Sequence, residues 1–275
     1  MLIFRKLYRD DVPGHPLLLA EGLLVAWLGT LFAGWLFPDE ASLIAVFFAT
    51  MLSLDTIERL LNHNRIAIFE RGVSPRRANL AMGARLLVLF GGAMLGWSIL
   101  GLGLPLDQVK ALFDHQVPPR MSRSLVGMEF GGFRALYHHN VYVMLFFFMV
   151  AIPFRQGGIM LAVAWNASVW GATFGVLARS WAAGGGPPLA SAWGRVLAAV
   201  GPHMALEATA YVLAGLAGVF ISKGLEKHSL LSDVMFSILR SARNLLLLGL
   251  ALVWVGAVVE ANVTPILVGL VTSGF

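Results

Sequence analysis

The chain has 275 residues, of which 58% are apolar and only 13% charged, with a formal net charge of +5 and no cysteine. A soluble domain carries about 25% charged residues, so there is too little polar surface here to coat a water-soluble globule, and a mean hydropathy of +0.77 points to lipid as the solvent. The absent thiols exclude a disulfide framework, a thiolate metal site and a cysteine nucleophile, and the positive balance fits the basic loops of a membrane protein rather than nucleic-acid binding.

Apolar runs of about 20 residues mark spanning helices. The first, Leu17–Phe37, follows the basic start Arg5, Lys6 and Arg9 with no small-residue cleavage pattern behind it, and reads as an uncleaved anchor. The turn Pro38-Asp39-Glu40 leads into Ala41–Leu54, a shorter run that extends toward Leu61. Residues 1–78 thus form a transmembrane hairpin and a basic loop ending in Ser74-Pro75-Arg76-Arg77; Ile66-Ala67-Ile68-Phe69 inside that loop suits either a solvated turn or a short interfacial helix. Residues 79–275 form the larger core, beginning with the run Leu80–Gly103.

The connection Leu104–Tyr137 is long. Leu106, Val109 and Phe113 recur at helical spacing, as in an amphipathic helix lying on the bilayer face, and Pro118-Pro119 should end it. Phe130, Phe133 and Leu136 suggest a second amphipathic piece before the span Val141–Pro153. The spans Gly157–Ala178, His203–Ser222 and Asn244–Glu260 follow. Between the first two of these, Gly184-Gly185-Gly186-Pro187-Pro188 is a flexible loop and not a phosphate loop, because no Gly-Lys-Ser/Thr follows. The expected fold is therefore all-α: a polytopic transmembrane helical bundle of about seven spans. With the N-terminus inside, fourteen Lys and Arg fall on the inner side and six on the outer, so the chain is expected N-in and C-out.

Ionisable groups inside apolar helices are costly in lipid and need partners. In Pro202-His203-Met204-Ala205-Leu206-Glu207, Pro202 suits a first helical turn, His203 and Glu207 share one face, and Glu207 lies near the positive end of the helix. Glu260 ends a long apolar run just before Thr264-Pro265, and Pro265 should kink or end that helix. His138-His139-Asn140 opens one span, and Asn166 lies within the next. His139, Asn140, Asn166, His203, Glu207 and Glu260 are expected to gather as one polar nest in the outer half of the bundle. The leading reading is a satisfied structural network. A metal or proton site and a ligand or ion pathway are the alternatives, although no His-Glu-x-x-His pair is present. Small residues at every fourth position, Gly171 and Gly175, then Ala210, Ala214 and Gly218, should let helices approach closely, inside the bundle or between copies of the chain.

The order of these motifs resembles the stage II sporulation protein M family. The likeness covers about residues 79–272: His139-Asn140, Gly157-Gly158, Asn166-Ala167, Pro202-His203-Met204-Ala205-Leu206-Glu207, the Ala/Gly-rich stretch Ala210 to Gly218, and Glu260 with Thr264-Pro265. Met204 and Ala167 stand where the family usually has glycine, and the N-terminal hairpin looks like an addition to its core. The resemblance implies a membrane scaffold that holds peptidoglycan-degrading partners, without catalysis of its own and without a cofactor. The sporulation role itself does not transfer. The expectation is a non-enzymatic, multi-pass subunit of the cytoplasmic (inner) membrane with envelope or membrane protein partners. The rivals are a transporter or channel component, and an intramembrane metalloenzyme using His203, Glu207 and Glu260.

Overall fold

The computed structural model describes residues 12–117 and 131–273. Among them lie nine α-helices and no strand: α1 (His15–Leu36), α2 (Ala41–Phe69), α3 (Pro75–Gly103), α4 (Leu106–Leu112), α5 (Phe133–Phe154), α6 (Gln156–Ala183), α7 (Leu189–Lys227), α8 (Asp233–Val258) and α9 (Thr264–Thr272). A π-helical turn, Val259–Val263, joins α8 to α9, so that the two run on as one span. Seven helices among the described residues are long and apolar enough to cross a membrane. The protein is a multi-pass α-helical membrane bundle.

Two of the helix starts carry a side-chain cap. Ser74 accepts a hydrogen bond from the Arg77 amide and Pro75 supplies a preset φ at the first position of α3. Ser232 caps α8 by accepting from the Met235 amide at 3.2 Å. At the ends of α3 and α9 the last carbonyls are taken by arginines from elsewhere: Arg179 donates to the Leu104 carbonyl, and Arg195 to that of Val271 at 2.8 Å.

The buried pair α6 and α7 forms the centre, with α1, α2 and α3 packed on one flank and α5, α8 and α9 on the other. Glycines set the closest approaches. A Cβ at Gly171 would lie 2.5 Å from the Met94 carbonyl oxygen, and one at Gly175 would lie 2.6 Å from that of Ser98. Ser98 then donates its hydroxyl to the Gly171 carbonyl at 3.0 Å. The Gly-x-x-x-Gly of α6 is thus filled by α3. Gly218 on α7 is closed in the same way by Phe148 and Ala151 of α5, while Ala210 faces Gly249 of α8. The hairpin α1–α2 is welded on by Gly22 and Gly92, and one continuous apolar cluster runs from Leu18 in α1 to Leu245 in α8.

Three expectations change. The helix of the long connection does not lie on the bilayer face: α4 turns Val109 and the following Phe113 into the core, leaving Leu106 exposed. Gln116 donates to the Ser42 carbonyl at 2.7 Å, and Ser42 meets His115, so the segment caps the α1–α2 end of the bundle. Burial there pushes the Asp114 carboxyl up, but hydrogen bonds from Ser42 and His115 outweigh it and hold the group below the ordinary carboxylate range. The basic loop shrinks to residues 70–74, because α2 carries its buried stripe Ile57, Leu60, Leu61 and Asn64 well past the apolar run, as far as Phe69. Pro202 lies inside α7 and not at its start. Ala192, Val196, Ala199 and Val200 extend the buried stripe upstream of it, and Pro202 and Ala198, whose carbonyl the proline cannot pair with, both face outward. Phe133 and Leu136 belong to the first turn of α5, while Phe130 and Pro118-Pro119 fall outside the described residues.

Candidate functional site

The two ends of the bundle differ. One, the basic end, gathers Arg65, Arg155, Lys223 and Lys227. Glu207 lies sixteen residues up α7 from Lys223, about 24 Å by the helical rise. Against a hydrocarbon thickness of about 30 Å, that depth is the half of the membrane away from the basic end.

At that depth α5, α7 and the α8–π segment meet. Asn140 of α5 donates from Nδ2 to Glu207 Oε1 at 2.6 Å, and the Tyr211 hydroxyl donates to Asn140 Oδ1 at 3.0 Å. Tyr211 is one turn below Glu207 on the same face of α7. The Glu260 carboxyl approaches that of Glu207 within hydrogen-bonding reach. Glu260 continues the buried stripe Gly249, Val253, Gly256 and Ala257 of α8, and a Cβ at Gly256 would touch Glu207 Cγ at 3.4 Å, so close helix approach brings the two carboxyls together. A hydrogen bond between carboxyl groups requires a proton on one of them, and lipid favours that arrangement over two unshielded charges.

His203 makes a second, separate pair. Its Nδ1 lies 2.9 Å from Thr264 Oγ1, whose hydroxyl is also 3.3 Å from the Val259 carbonyl. Pro265 supplies no N–H to the turn before it, and the chain widens there into the π turn. That widening places Thr264, fully buried, against His203.

Of the six residues proposed as one nest, Asn140, Glu207 and Glu260 join directly, and His203 stands one turn away with Thr264. Asn166 is buried but donates to the Ala162 carbonyl of its own helix at 2.8 Å, and His139 is exposed. Because Pro202 is interior, no helix N-terminus supports Glu207, and Asn140 takes that part. Tyr211 and Thr264 were not among the sequence candidates. The available signals were the four-residue spacing of Tyr211 from Glu207 and the place of Thr264 beside a proline. Among the described residues no three His, Asp or Glu converge as metal ligands. Aromatic rings border the site: the half-buried Phe133 stacks on the half-buried Tyr137 at 5.9 Å and meets the exposed Trp254 edge-on at 6.1 Å, an arrangement suited to the membrane–water boundary.

The sequence profile of the family described as Stage II sporulation protein M matches residues 85–265, which include every member of the nest. No curated protein and no solved structure matches the chain.

Proposed function

The chain belongs to the stage II sporulation protein M family, and from that premise we propose that it is a non-enzymatic scaffold or assembly subunit of the inner membrane, offering the end opposite its basic end to envelope partners of the peptidoglycan-remodelling type. One observation carries this reading. The nest is paired within itself and cut off from the basic end by a dry layer: Ile159, Met160, Val212, Leu213, Leu216 and Val219 are each at most 2% exposed. A polar network of this kind fixes the mutual register of α5, α7 and α8–α9 and needs no traffic through it. A conducting or alternating protein needs a wet path or a bistable interface, and glycine-welded contacts between α3 and α6 disfavour the second.

A second reading rests on the Glu207–Glu260 contact, since two carboxyls that share a proton can exchange it for a cation. In that case the nest is an ion site of a transporter component or a metal site of an enzyme.

The test is affinity purification from native membranes, comparing the intact protein with a variant whose residues 118–130 are replaced by a Gly-Ser linker of equal length. Enrichment of peptidoglycan-remodelling proteins by the intact chain, and their loss with the linker at unchanged melting temperature, is the expected result. Ion flux in vesicles reconstituted with the pure protein, or stoichiometric bound zinc, would overturn the scaffold reading.

A further inference from the structure

The basic end is built unlike the rest of the bundle. A cavity of about 380 Å³ opens where the ends of α2 and α7 meet the starts of α3, α6 and α8. Four basic side chains, Arg65, Arg155, Lys223 and Lys227, line it against two carboxylates. Both carboxylates are already engaged, Glu58 by Lys223 at 3.0 Å and Glu226 by Arg155 at 2.9 Å. Arg65 is paired in turn with Glu70 at 3.2 Å, so the excess positive charge that favours an anion is that of Lys227, which makes no ion pair among the described residues. The wall also holds two amide oxygens, Asn64 Oδ1 and Gln156 Oε1, that are buried and accept no hydrogen bond. Asn64 is only 5% exposed and donates to Asn79, which fixes which way its amide points. Acceptors left without donors in a basic cavity call for a ligand that is anionic and also carries hydroxyl or amine hydrogens.

Arg155 supplies a second, independent observation. It is the single residue joining α5 to α6, and it sits at φ 52°, ψ −123°, a conformation suited to glycine. A non-glycine residue held there marks a position where the side chain matters more than backbone ease. Arg155 and Gln156 also line a neighbouring apolar groove of about 530 Å³. The groove runs along α2 from Leu54 to Leu43 and is walled by Val150, Leu161 and Trp165. That stretch of α2 is about 17 Å long by its helical rise, close to one leaflet of about 15 Å. A charged cavity at a membrane boundary that continues into an apolar groove of leaflet depth has the form of a phospholipid.

We propose that the basic end holds one molecule of an anionic, hydroxyl-bearing phospholipid, with its phosphoglycerol headgroup in the cavity between α2, α6 and α7 and one acyl chain in the groove between α2, α5 and α6. Arg155 and Lys227 hold the phosphate, and the glycerol hydroxyls donate to Asn64 and Gln156. The inference does not depend on the scaffold reading. Because Glu58, Asn64 and Arg65 lie before the stretch matched by the family, it concerns a feature that the N-terminal hairpin adds.

The protein is delipidated in detergent, and its melting temperature is followed against dioleoyl phosphatidylglycerol, dioleoyl phosphatidylcholine and glycerol 3-phosphate. Saturating phosphatidylglycerol should raise it by about 5 °C, as expected for a ligand well above its dissociation constant, with one lipid retained per chain by native mass spectrometry. Phosphatidylcholine and glycerol 3-phosphate should do far less. Lys227→Gln changes an exposed side chain and should cut the shift by about half. Gly157→Leu fills the groove, since a Cβ there meets nothing closer than Leu54 at 3.9 Å; it should abolish the shift while the lipid-free protein melts as before. Equal shifts with phosphatidylcholine, or full shifts in both variants, would overturn the proposal. A full shift from glycerol 3-phosphate alone would overturn the lipid and make a soluble phosphate ester the ligand.

Discussion

The nest and the basic cavity hold similar side chains and treat them in opposite ways. In the nest, Asn140 joins Tyr211 and Glu207 by hydrogen bonds between two helices, Glu260 brings its carboxyl up to that of Glu207 from a third, and His203 is closed off by Thr264. In the cavity, two amide oxygens are left over and the ion pairs Lys223–Glu58 and Arg155–Glu226 remain partly exposed. Depth accounts for the difference. Lipid has no hydrogen bonds to lend, so polar groups within it must satisfy one another. At the boundary, water and headgroups can serve, and a site can stay open for a ligand. The nest is thus read as architecture and the cavity as a place of binding.

The comparison fails outright if the two ends share one side of the membrane. Reporter fusions after Arg76 and after Gly185 should give opposite readouts, Arg76 facing the cytoplasm. The same readout from both would remove the assignment of depth on which the contrast rests.

The next largest effect should come from Glu207→Ala. It leaves the Asn140 amide and the Glu260 carboxyl facing a void, at a cost of about 1–3 kcal/mol for a neutral group and more for a charge. The yield of folded protein and its melting temperature in detergent should both fall. Glu207→Gln keeps an acceptor for Asn140 and offers Glu260 a donor, so it should be much milder. If Glu207→Gln melts like the wild type yet loses all function, the nest is chemical and not architectural.

The sequence showed the spans well because lipid imposes a simple requirement, about 20 apolar residues in a row. It showed helix ends poorly for the same reason. Apolar runs mark where a helix is in lipid, and α2 and α7 continue beyond those runs, through Arg59 and Arg65 in one and Trp193 in the other, without losing their buried stripes. Glu207 and Glu260 stood out because a carboxyl in a span is expensive. Tyr211 and Thr264 did not, since neither is rare in a membrane helix, and their roles depend on what another helix brings near. The cavity was invisible at that level. It exists where five elements meet, and nothing in the order Phe154-Arg155-Gln156 announces a positive φ at Arg155.

A smaller effect sharpens the contrast most, because it compares the loss of one partner in each place. Tyr211→Phe removes one hydroxyl and leaves Asn140 Oδ1 without its donor in a water-free setting. Polar contacts between membrane helices average about 0.6 kcal/mol and reach about 1.7 kcal/mol, and the upper half of that range is expected because Asn140 has no second donor to turn to. Lys223→Gln breaks a formal ion pair with Glu58, nominally the stronger bond. Its side chains are 26% and 37% exposed, however. Water takes over the freed carboxylate, and exposed pairs are worth about 0.2–1 kcal/mol before screening. In lipid-free detergent at moderate salt, the loss of a neutral hydroxyl should therefore lower the melting temperature more than the loss of a charge. Raising the salt should shrink the Lys223→Gln effect further and leave that of Tyr211→Phe unchanged. The reverse order, or equal sensitivity to salt, would place water inside the nest and undo the distinction between the two sites.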